Sequence, residues 1–126
     1  MSSENGIDLE LFFAALADRT RLRLLNLMAG GEVCVCFLAE TLGTNDPKIS
    51  RHLAYLKRAD LVKGRRDGKW MHYSLNRPAD PHTGRLFDDL ITALRNDREM
   101  QRDKQKLVAV CCGPSAPVSI KRAQVN

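Results

Sequence analysis

The dipeptide Asp67-Gly68 lies between two runs of strand character, 61–66 and 69–75, and follows directly on a segment of helical periodicity. A pair of this type between such runs signals a tight β-hairpin, because the turn needs backbone angles that glycine adopts without a Cβ clash. The second run alternates Met71, Tyr73 and Leu75 with His72 and Ser74, so one face is expected to be buried. A helix feeding a short hairpin leaves few architectures open to 126 residues, about the length of one domain.

The helix ahead of the hairpin is equally well marked. Asp46 reads as its N-cap and Pro47 as its first residue, where a missing N–H costs nothing. Ile49, Leu53 and Leu56 form a stripe for burial, while Lys48, Arg51, His52, Tyr55 and Arg58 form a second stripe that a core does not need. Upstream, 36–42 predicts a short helix closed by Gly43, with Thr44-Asn45 as a turn. Two earlier helices are marked by Leu9, Phe12, Phe13 and Leu16, and by Leu22, Leu25 and Met28; the second is capped by Asp18 and ended by Gly30-Gly31. After the linker 77–81, one long final helix carries Leu86, Leu90 and Leu94 beside Phe87 and Ile91.

The fold class is therefore mainly α with a β-hairpin. A helix, a glycine turn, a helix with an exposed basic stripe and a hairpin with a basic tip make the plan of a winged helix-turn-helix. Residues 1–112 are expected to form this DNA-binding and dimerisation domain, with 113–126 as a flexible C-terminal tail. Leu86, Leu90 and Leu94, with the first helix, would make the seam of a homodimer, whose twofold symmetry maps onto a palindromic operator in double-stranded DNA.

A net charge of +5 suits a polyanion once its location is known, and here it clusters. Lys48, Arg51 and His52 would reach base edges in the major groove, and Ser50 a base or a phosphate. Arg65, Arg66 and Lys69 at the hairpin tip would hold phosphates or the minor groove. Tyr55 would either touch DNA or pack against the hairpin. The plainer alternative is that each charge solvates its own face; stripe and tip together argue against it. The start 1–6 lacks the pattern of a secretory signal, and no apolar run approaches the ~18 residues that cross a bilayer, so a cytoplasmic location without a membrane partner is expected.

Cys34-Val35-Cys36 stands just before the helix-turn-helix. Thiolates are soft ligands, so a close pair favours trivalent arsenic, antimony, cadmium or lead over magnesium or calcium. Residues i and i+2 of a helix project about 200° apart, so a regular helix cannot chelate through both and its first turn would have to unwind. The vicinal pair Cys111-Cys112 has no catalytic base or anion-cradling loop beside it, which speaks against a thiol reductase and for a protein that is not an enzyme. A thiol redox-sensing repressor with the same DNA site stays open.

From about Leu11 to Leu94 the chain resembles the ArsR/SmtB repressors, homodimeric winged-helix proteins that leave their operator when a metal or metalloid binds. The resemblance is carried by 16–25 (LADRTRLRLL), the Cys34-Val35-Cys36 box, 47–53 (PKISRHL) and 67–73 (DGKWMHY). It is nearest to the arsenic-responsive branch, which implies arsenite or antimonite as inducer at Cys34 and Cys36, and no permanent cofactor. That branch often carries a third cysteine three residues after the second; Ala39 stands there, so Cys111 or Cys112 is expected to complete the site. The cadmium and lead sensors of the family add an N-terminal cysteine, and none precedes Cys34. The family's zinc site across the last helices needs histidine, and 83–110 contains none.

Overall fold

The computed structural model describes residues 8–111, in the order α1 (Leu9–Leu16), α2 (Arg19–Met28), β1 (Val33–Cys34), α3 (Val35–Leu42), α4 (Asp46–Arg58), β2 (Val62–Asp67), β3 (Trp70–Leu75), α5 (Pro81–Arg95) and α6 (Arg98–Cys111). Cys112 and the expected tail, 113–126, lie outside the described residues. The helix starts are set by side chains that satisfy otherwise orphaned N–H groups: Asp8 accepts from Leu11, Asp18 from Arg21, Asn45 from Lys48 and Asp80 from Thr83. Such caps are each worth about 1 kcal/mol. The cap of α4 is thus Asn45 rather than Asp46, which with Pro47 belongs to the first turn. Gly43, at φ +69°, closes α3 in the left-handed conformation expected of it.

The sheet has the order β1-β3-β2 and is antiparallel throughout. Val62 to Asp67 pair with Leu75 to Trp70, which leaves Gly68-Lys69 as the two-residue turn, one position later than expected. Gly68 has φ +61°, and among the described residues only Asp60 is a non-glycine with positive φ. Glycine at the first central position alone is the pattern of a II′ turn, not I′. The third strand was not foreseen: Val33 pairs with Tyr73 and Cys34 with His72. On β3, His72 is the one fully buried residue while Met71, Tyr73 and Leu75 are half-buried.

Ile49, Leu53 and Leu56 of α4 are all inaccessible, packed with Leu24, Leu25 and Met28 of α2 and with Leu38 of α3. The single final helix expected after the linker is two. Asn96 ends α5 and the Asp97 carboxylate accepts from the Met100 N–H, so local side-chain bonding at Asn96-Asp97 starts α6 afresh. The turn lets α6 fold back on α2, held by Arg23, whose guanidinium makes two bonds of 2.8 and 3.0 Å to the buried Asp103. Leu94 consequently enters this chain's own core, whereas Leu86 of α5 and Leu9 and Phe13 of α1 stay exposed.

Candidate thiol site and nucleic-acid interface

Cys34 is the N-cap of α3, with φ −71° and ψ 142°, and Cys36 is in the first turn. Because Cys34 has extended backbone, the 200° offset of a regular helix does not apply to the pair. The two sulfurs are 3.0 Å apart, and no unwinding of α3 is needed to bring them together, contrary to the helical reading of the box. Two sulfurs held at about 2.3 Å from one centre lie about 3.3 Å apart at a right angle and about 3.8 Å apart at the tetrahedral angle, so the pair is nearer the bite of a pyramidal centre. Cys34 is buried and Cys36 half-buried. Burial, the hydrogen bond and charge shared with Cys34, and the Asp46 carboxylate push the Cys36 thiol up to about 12.

The pair opens into a cavity of about 230 Å³ lined also by Val35, Asp46 and Ser50 and by Lys69, Trp70 and Met71 of the hairpin. Cys111 lines a different cleft, with Leu27, Gly30, Gly31, Val33 and Leu107. Among the described residues, no three side chains of His, Cys, Asp or Glu come together as a metal site. The structure thus unites Cys34 with Cys36 but does not bring Cys111 to them within this chain.

The box is joined mechanically to the hairpin. Besides the β1–β3 pairing, one edge of the Arg65 guanidinium donates to both carboxylate oxygens of Glu32, from Nε at 2.9 Å and from an Nη at 2.6 Å. That guanidinium holds the Glu32 carboxyl below the ordinary carboxylate range. Sequence reading had Arg65 as a hairpin cation and did not find its partner, because nothing local relates two residues 33 apart.

Lys48, Ser50 and Arg51 are exposed on α4, and Arg66 and Lys69 on the hairpin. Among the described residues no ion pair engages Lys48, Arg51 or Arg66. His52 is half-buried, with Nδ1 3.5 Å from Arg21 and 3.9 Å from Asp18. Tyr55 is also half-buried, with the guanidinium carbons of Arg21 and Arg58 lying 4.1 and 4.9 Å from its ring centroid. Arg21, given no role of its own in the sequence, donates to the Ala14 and Ala15 carbonyls at the end of α1 and so ties α1 to the His52 and Tyr55 side of α4. Its clue was the Asp18-Arg19-Thr20-Arg21 stretch, which marks a helix start and carries part of the family resemblance without pointing to this contact.

A short helix, a tight turn, an amphipathic helix with unpaired cations on its free face, and a hairpin beside it define a winged helix-turn-helix protein. Residues 18–63 match the family described as "Bacterial regulatory protein, arsR family". The arsenic resistance transcriptional regulator ArsR1 of Pseudomonas putida is 36% identical over 110 residues, covering 86% of this chain and 84% of that one. The arsenical resistance operon repressor of Escherichia coli is 42% identical over 78 residues, 61% and 67% of the respective chains. A homodimeric winged helix-turn-helix DNA-binding domain of Mycobacterium bovis, a possible ArsR-family regulator, superposes with TM-score 0.57 at 31% identity, over 71% of this chain and 84% of that one. The chain belongs to the arsR family and is a transcriptional regulator, not an enzyme.

Proposed function

We propose that the protein is a homodimeric repressor that binds operator DNA through α4 and the hairpin and releases it when Cys34 and Cys36 take up trivalent arsenic or antimony. The observation that carries this reading is the sulfur pair, 3.0 Å apart at the junction where β1 joins the hairpin and α3 packs against α4. A centre bound by both thiolates pushes the sulfurs apart, and with them the end of β1 and the start of α3. One displacement reaches the hairpin through β3 and the Glu32–Arg65 pair, the other reaches α4 through α3. Linkage requires DNA to weaken inducer binding by the same factor, typically ~5- to 150-fold in allosteric proteins.

The raised pKa of the Cys36 thiol supports arsenic over cadmium or lead. A hydrated divalent cation must expel thiol protons, and a raised thiol pKa makes that costly. Trivalent arsenic arrives as a neutral hydroxide whose leaving groups carry those protons away as water. Leu9, Phe13 and Leu86 offer the exposed apolar surface of a dimer seam, with Leu90 half-buried beside it. A third sulfur for the site would come from Cys112, from the partner's Cys111, or from movement of the end of α6.

The closeness of the two sulfurs favours one other reading, a redox switch in which an oxidant accepts two electrons and two protons as the thiols close to a disulfide. Titrating the reduced, DNA-bound protein anaerobically with arsenite, antimonite, cadmium and peroxide, and following release by fluorescence anisotropy, separates them. Release by peroxide but by neither metalloid would end the arsenic reading.

A further inference from the structure

The cavity beside the sulfur pair has walls that an inorganic ion does not need. Trp70 and Met71 supply an aromatic ring and a flexible thioether, surfaces that pack against apolar groups and adapt to their shape. The volume of about 230 Å³ exceeds the roughly 150 Å³ of an engineered apolar cavity that takes up benzene. The donor set is also short by one: Ala39, one turn into α3, is buried in the core, and no third ligand stands with the two thiols among the described residues.

We propose that this site takes a monosubstituted trivalent arsenical, R–As(OH)2 with a small apolar R, the carbon substituent occupying the cavity against Trp70 and Met71. The proposal rests on the reading of Cys34 and Cys36 as an arsenic site and names the species that completes it. Two thiols suffice for such a ligand. Two As–O bonds break and two As–S bonds form; each thiol proton leaves with a hydroxide as water, and arsenic stays trivalent, so no oxidant or reductant is required. The third position on arsenic is already filled by carbon. Arsenous acid held by the same two sulfurs keeps a hydroxyl, which Asp46, Ser50 or Lys69 could receive but which leaves the indole and the thioether without an apolar group to pack against. Trp70 and Met71 are therefore specificity-determining residues, with the Lys69 ammonium 5.1 Å from the centroid of the Trp70 ring.

Trp70 is the only tryptophan, so its fluorescence reports occupancy of the cavity directly. The reduced full-length protein is titrated anaerobically with arsenite, methylarsonous acid and phenylarsine oxide, by fluorescence and by calorimetry. Calorimetry is repeated on Trp70→Ala, Trp70→Phe, Met71→Ala and the double variant Cys34→Ser with Cys36→Ser. The quantity read is the ratio of the arsenite to the organoarsenical dissociation constant, which cancels the general preference of dithiols for organic arsenicals only when wild type and variants are compared. The expected result is a ratio at least tenfold smaller in Trp70→Ala and reduced in Met71→Ala, retained in Trp70→Phe, with a spectral shift larger for phenyl than for arsenite. An unchanged ratio in Trp70→Ala and Met71→Ala, with binding still dependent on the two cysteines, overturns the cavity assignment and leaves arsenic sensing intact. With Cys111→Ser and Cys112→Ser added to remove the vicinal pair, arsenical binding that survives loss of Cys34 and Cys36 overturns the two together.

Discussion

The reading helix and the hairpin offer cations to the same partner but hold them in different ways. On α4, Lys48 and Arg51 are exposed and without an ion-pair partner among the described residues, while the helix behind them is fixed by three inaccessible side chains and by the stack of Arg21, Tyr55 and Arg58. On the hairpin, Arg65 is bound by Glu32 and Lys69 lies over Trp70. Moving α4 means repacking a core, where even small volume changes are resisted. Moving the hairpin disturbs a two-residue strand and exposed charge pairs, which contribute little individually. In the switch proposed above, this contrast makes α4 the fixed reading surface and the hairpin the part that responds at least cost.

The largest effect expected is on the link between the two. Cys34→Ser with Cys36→Ser should abolish arsenite-induced release while leaving inducer-free DNA affinity within about twofold, since serine is close to cysteine in size and neither cysteine is among the exposed cations of α4 and the hairpin; allosteric couplings of ~5- to 150-fold set the scale of the loss. Gel-shift titration of wild type and variant with and without arsenite measures it. A response that persists in the variant would detach the box from the hairpin altogether.

Next comes the difference in kind between the two cationic surfaces. Arg51→Ala should weaken binding to the specific site by about 1–3 kcal/mol, whereas Arg66→Ala should weaken all duplexes alike and lower the salt slope by about one. Anisotropy on specific and scrambled duplexes over a salt series reads both. If the two variants behave identically, α4 and the hairpin do not divide the labour of reading and holding.

How far the chain could be read in advance follows the same divide. Helix α4 was legible because its signals are local: a cap, a proline, a stripe at i, i+4 and i+7, and cations on the opposite face. The hairpin was legible in kind but slipped by one residue, since Asp67-Gly68 and Gly68-Lys69 differ only in which residue takes the positive φ. Strand β1 was not legible, being two residues long and defined by a partner about 40 residues away. That omission misplaced the thiol geometry, because a box read as helix sets its sulfurs on opposite sides, whereas Cys34 capping α3 sets them together. The break at Asn96-Asp97 was hidden within a polar stretch, and with it the return of α6 to α2 and the burial of Leu94.

A smaller effect tests whether the hairpin is restrained by the box before any inducer arrives. Glu32→Gln removes the charge that holds Arg65 and should raise inducer-free DNA affinity by less than about fivefold, the range set by exposed ion pairs, while blunting the arsenite response. Arg65→Ala should blunt the response equally but lower affinity. Opposite signs on affinity with the same sign on induction would be hard to obtain from a purely helix-borne signal; equal and unchanged induction in both variants would return the whole signal to α3 and α4.

The smallest effect expected is a near absence of pH dependence. The Cys36 thiol, held at about 12 by burial, by Cys34 and by Asp46, stays protonated in the folded protein through neutral pH. Its folded pKa lies above the ordinary value of 9.0, so its influence on stability is nil below about pH 9; as pH rises from there toward 12, the unfolded chain sheds the proton first and stability falls. Inducer uptake has a different balance. Condensation of two thiols with a trivalent arsenic hydroxide releases water and no net proton, so half-release of DNA by arsenite should shift by less than about twofold between about pH 6.5 and 8. Cadmium must displace one or two protons, and its binding should tighten by up to about tenfold per proton for each unit of rising pH. Running each titration on the operator duplex and on the free protein separates inducer uptake from the pH dependence of DNA binding itself. An arsenite midpoint that rises steeply with pH while cadmium's stays flat would mean that thiolates, not thiols, await the ligand, and the argument for a neutral metalloid hydroxide over a divalent cation would fail.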